Sequence, residues 1–165
     1  MRTLHLLSLM AFLAASGHAQ ADTILRNWFD DPHFQVSSDV RDCPVPLGPL
    51  MTEAQRRAQA HHRAEKGTTC WLAGQCDRAN AYAYDRDISE AFKVEAAARS
   101  ALFKRTSIWI TVQARVVFME GCSSKPSAAS ELEAFARQLP HVQQAIAVVR
   151  TSSTQVVPYR VRTQQ

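Results

Sequence analysis

Four cysteines, a few histidines and two neighbouring aspartates are the side chains of this 165-residue chain with most capacity for chemistry. The thiols of Cys43, Cys70, Cys76 and Cys122 could hold a metal, act as nucleophiles or pair with one another. A zinc site built from Cys70, Cys76, His61 and His62 fits poorly. Paired zinc cysteines are usually separated by about two to four residues, and five lie between Cys70 and Cys76. Adjacent histidines on a helix also point about 100° apart. No Cys-x-x-Cys redox motif occurs. Two disulfides are therefore expected, and no metal. Three pairings are possible. The short loop Cys-Trp-Leu-Ala-Gly-Gln-Cys, with Gly74 permitting the bend, favours Cys70–Cys76 and leaves Cys43–Cys122.

Asp85 and Asp87 flank Arg86 where a helix should begin, so they are expected to cap it. The chain has no Gly-x-Ser-x-Gly elbow, no phosphate loop and no His-Glu-x-x-His. No catalytic residue or cofactor is expected, and the chain is not read as an enzyme. A polar helix over residues 53–66 carries Arg56, Arg57 and Arg63, with Glu53 and Glu65 in partial balance. It offers either a basic face for anionic lipid headgroups or a partner, or only a solvated surface. The net charge of +4 and pI near 9.1 are too mild for a dedicated nucleic-acid binder.

The start of the chain reads as an address. Arg2, an apolar run over residues 4–15 and Ala19-Gln20-Ala21 form a secretory signal cleaved after Ala21. The run is shorter than the roughly 20 residues of a membrane-spanning helix, and no later stretch is apolar enough. A periplasmic or secreted protein is expected, in a compartment that oxidises cysteines.

The elements that must carry these residues follow from periodicity. Residues 22–50 look extended and irregular, with Pro44, Pro46 and Pro49 barring helix. Thr52 and Gln55 have the spacing of a capping box, and Gly67 is a plausible stop. Residues 68–86 form a connector. Asp87 and Glu90 can cap a helix to about Phe103 that buries Ile88, Phe92, Ala96 and Leu102. Strands follow at residues 107–112 and 116–119. A helix over residues 127–139 buries Leu132, Phe135, Ala136 and Leu139 before Pro140. A third strand occupies residues 142–149, and a tail from Ser152 is loosely held. The expectation is α+β: one small α-β-β-α-β domain, a three-stranded mixed sheet with two helices on one face. A disulfide-stapled, partly helical extension precedes it.

The run Ile110-Thr-Val-Gln-Ala-Arg-Val-Val-Phe-Met-Glu-Gly121, with the helices around it, resembles the hairpin signature of BON (bacterial OsmY and nodulation) domains over residues 85–151. The resemblance implies an exported protein acting at the envelope through phospholipid contact. Arg115 and His141 stand where the family places glycine, so the Ala114-Arg115 turn should be widened or strained. The division implied is a signal at 1–21, an extension at 22–84, the BON-like domain at 85–151 and a tail at 152–165.

Pairing across that turn sets Val112 opposite Val117 and Ile110 opposite Met119 on the helix side. Trp109, Thr111, Val116 and Phe118 fall on the other face. Either the extension covers Trp109 and Phe118, or they contact lipid or protein. The expected contact residues are Trp109, Phe118, Arg115, Arg56, Arg57 and Arg63. The expected partners are anionic phospholipid headgroups or another envelope protein. An alternative is a protein–protein scaffold or self-assembling module, since the element order also resembles ring-building domains of secretion machines.

Overall fold

The computed structural model describes residues 24–162. The expected signal segment lies outside them. The fold is α+β, and its sheet is mixed, as expected, but it has four strands in the order β1-β2-β3-β4. The strands are β1 (His33–Ser38), β2 (Thr106–Gln113), β3 (Val116–Ser123) and β4 (Gln144–Arg150). The three-stranded expectation is corrected by β1, which pairs antiparallel with β2 from inside the supposedly irregular extension. Phe34 and Val36 alternate toward the helices there, a two-residue period obscured in sequence by the surrounding prolines.

β2 and β3 pair antiparallel in the expected register, Val112 with Val117 and Ile110 with Met119. Ile108, Ile110, Val112, Val117 and Met119 are fully buried. β4 runs parallel to β3, reached through helix α5 (Ala128–Ala136). Helix α3 (Asp85–Ala98) lays Ile88, Phe92 and Ala96 on the same sheet face, and α5 adds Leu132, Phe135 and Ala136. Phe92, Phe103 and Phe135 meet edge-on at centroid distances of 5.2–6.1 Å. Phe34 joins them from β1.

Several boundaries move for physical reasons. α3 starts two residues early, at Asp85, without a side-chain cap. It breaks at Arg99 and resumes as α4 (Ser100–Phe103), which turns Phe103 into the aromatic cluster. α5 stops at Ala136 rather than Leu139, because Pro140 has no N–H for the Ala136 carbonyl. The last turn tightens instead, with Leu139 N–H on the Ala136 carbonyl at 3.2 Å. β4 begins at residue 144, since Val142 is still bonded back to Leu139 in a turn. β3 runs four residues past Met119 because Gly121 lets the strands close: a Cβ there would sit 2.0 Å from the Ser107 carbonyl oxygen.

Helix α1 (Glu53–Glu65) has the expected capping box and is followed by Gly67 at φ +92°. Both disulfides form as expected, Cys43–Cys122 and Cys70–Cys76. The first pins residues 43–50 to the outer face of the sheet. That strip runs from Cys122 to His33, whose ring packs against Gly48, and it buries Pro46 completely. The tail is not loose. Tyr159 is buried and donates its hydroxyl to the Pro44 carbonyl at 2.8 Å. Leu47 and Arg162 donate to the Arg160 and Val45 carbonyls at 2.7 and 2.9 Å, which lays the tail antiparallel to the strip. Among the described residues no helix is long and apolar enough to cross a membrane.

Candidate functional site at the hairpin-turn end

The β2–β3 turn is neither widened nor relaxed. It has two residues, both in the left-handed region, with Ala114 at φ +52° and Arg115 at φ +68°. Each non-glycine residue there carries a conformational cost on the order of 1 kcal/mol. Asp85 offsets it. One carboxylate oxygen accepts the Ala114 N–H at 2.7 Å and the other accepts the Arg115 N–H at 2.8 Å. Asp85 therefore staples the hairpin to the start of α3, and the expectation that it caps its own helix is corrected. Burial pushes its pKa up to about 6, against the pull of those two N–H groups. Asp87, the other expected cap, is ion-paired to Arg78.

Tyr84 sits beside this turn with its ring among three basic side chains. The Arg115 and Arg78 guanidinium carbons lie 4.6 and 4.8 Å from its centroid, and the His141 ring lies 5.1 Å away. Arg115 Nε donates to the His141 carbonyl at 2.8 Å, and its Nη1 lies 3.5 Å from Cys76 Sγ. The hairpin turn, His141 and the Cys70–Cys76 loop thus meet at one end of the molecule.

Helix α2 (Thr68–Leu72) runs into the loop, which is fixed by its disulfide and by internal bonds such as Gly74 N–H to the Trp71 carbonyl at 2.9 Å. The loop is too short to bury its own apolar side chains. Trp71 is 46% exposed and Leu72 73% exposed. Lys66, just before it, is also exposed.

Of the expected contact residues, only Arg115 belongs to this end. Trp109 and Phe118 are half-buried on the outer face. Trp109 shares its row with Glu120, whose carboxyl is pushed up by burial and held down by Arg160 of the tail. The proline strip and the tail lie on that face, and Trp109 and Phe118 keep part of their surface open. Arg63 is corrected: it is 8% exposed and bonded through two nitrogens to buried Asp31. Its guanidinium lies between the Phe29 and Tyr82 rings, at 4.0 and 3.6 Å. Arg56 is half-buried, 5.7 Å from the Trp28 ring, with Nε lacking a partner among the described residues. Arg57 alone remains exposed, paired to Glu53 at 3.1 Å. A continuous basic face on α1 is therefore not present.

Sequence reasoning missed the exposed apolar pair Trp71 and Leu72. The available signal was an apolar pair inside a short loop closed by nearby cysteines. Among the described residues no three metal-ligating groups converge. A scan of protein-family models and searches of curated proteins and solved structures find no match to the chain.

Proposed function

We propose that the protein is an exported, non-catalytic, BON-like binding module that acts at the cell envelope by resting its hairpin-turn end on anionic phospholipid. The observation that carries this reading is the exposure of Trp71 and Leu72 on a disulfide-locked loop beside Arg115 and Lys66. Tryptophan is favoured at the boundary between water and hydrocarbon. A loop already fixed by a disulfide loses little further freedom on docking. Basic side chains near an anionic surface contribute about 1 kcal/mol each, so a few of them predict weak, salt-sensitive attachment. The BON-like component draws support from the backbone: Arg115 and His141, standing where that family places glycine, have φ of +68° and +66°.

Flotation with phosphatidylglycerol vesicles and with phosphatidylcholine vesicles, at low and high salt, tests this. The protein should co-float with the anionic vesicles at low salt, less at high salt, and little with the zwitterionic ones. Replacing both Trp71 and Leu72 by alanine should remove most of the bound fraction while leaving the fold intact. Failure to co-float with anionic vesicles at low salt contradicts the reading.

A further inference from the structure

The end of the molecule away from the hairpin turn holds a different feature. Asp85 fixes the start of α3 at the turn, so the far end of α3, α4 and the start of β2 lie at the opposite pole. There the free side of edge strand β1 opens on a cleft of about 590 Å³ between the strand and α3–α4. Phe34, Val36, Ala96 and Phe103 contribute its apolar lining. Lys93 and Lys104 stand on its helical wall.

An edge strand beside an apolar groove offers two things to an extended chain: backbone groups to pair with, and a surface for every second side chain. The Val112 N–H bonds the Pro32 carbonyl at 3.0 Å. By the alternation of an antiparallel ladder, Phe34 then faces β2 with its backbone and Gln35 faces outward. The register shift between Gln35 and Ser37, and the bond from the Gln35 amide to the Ser37 carbonyl at 2.9 Å, restrict added pairing to a short stretch. The lining carries two lysines against one aspartate. Lys93 binds Glu90 at 2.8 Å and lies 5.0 Å from the Phe34 ring. Lys104 has no ion-pair partner among the described residues. The carboxylate of Asp39, the cleft's one acidic side chain, is engaged by the Arg105 N–H at 2.8 Å.

We propose that this cleft binds a short, extended, acidic segment of another protein, which adds to β1 as a further strand with its carboxylates toward Lys93 and Lys104. The site is independent of the lipid-facing loop, so the module would join a membrane surface at one pole to a protein at the other.

The test uses the whole exported chain and a labelled eight-residue peptide alternating valine with glutamate, read by fluorescence anisotropy. A peptide alternating valine with lysine is the control. The acidic peptide should bind and the basic one should not. Amide shifts should be confined to residues 34–39 and 93–104. Lys104→Glu should weaken binding by about tenfold, and Ala97→Trp, which fills the cleft from an exposed helix position, should abolish it. Both variants should keep the parent's thermal midpoint and vesicle binding. Equal binding of the two peptides, no binding of either, or binding unaffected by Ala97→Trp overturns the proposal.

Discussion

Asp85 and Arg63 are the two charged side chains on which the local geometry depends most. Removing the Asp85 carboxylate leaves the Ala114 and Arg115 N–H groups without their acceptor. A buried unsatisfied donor costs about 1–3 kcal/mol, so Asp85→Ala should lose stability on that order or somewhat more in urea melts. The pH dependence has a definite sign. The folded pKa of about 6 lies above the ordinary value of 3.8, so the folded state holds the proton more tightly. Asp85 contributes most below pH 3.8, and that contribution is lost as pH rises through 6. Asp85→Asn should flatten this part of the stability profile relative to the parent. Arg63 makes a parallel case. Its loss takes the counter-charge from buried Asp31, leaving the Gln113 amide as a neutral donor, and Arg63→Ala should cost about 3–5 kcal/mol. Arg57→Ala, on the same helix but exposed, should stay within about 0.5 kcal/mol of the parent. Calorimetry on the two variants separates a buried ion pair from a solvated one.

At the scale of elements, the Cys43–Cys122 bond decides what the outer sheet face can do. It holds the proline strip, and through Tyr159 the tail, over the side of the sheet that carries Trp109 and Phe118. Removing both cysteines reopens a loop with a sequence separation of 79, worth about 4 kcal/mol by the chain-entropy argument. Iodide should then quench Trp109 more strongly than in the intact protein. The core strands, the two helices and their buried faces were legible because their periods of 2 and 3.6 are set by backbone geometry. The capping box at Thr52 was legible for the same local reason. β1 was not, because its pairing partners lie 69 to 78 residues away and its apolar alternation spans only Phe34 and Val36. The role of Asp85 was hidden likewise: nothing local links a carboxylate at a helix start to a turn 29 residues later. Arg63 reads in sequence like its exposed neighbours, and only the approach of Phe29, Asp31 and Tyr82 buries it.

At the scale of the whole molecule, the two disulfides have opposite consequences for surface chemistry. One lays a strip of chain on the outer sheet face, and the other holds an apolar pair out in water. Trp109 and Phe118 are half-buried on the face that carries the strip, whereas Trp71 at the loop end is exposed, which makes the loop end the place where a bilayer would meet the most accessible indole. The most direct measurement is quenching of tryptophan fluorescence by brominated lipid in phosphatidylglycerol vesicles, comparing the parent with Trp71→Phe. Docking through the loop predicts strong quenching in the parent and its near-complete loss in Trp71→Phe, with Trp28 and Trp109 left unquenched. Equal quenching in both proteins, or none while the protein co-floats with the vesicles, would contradict it.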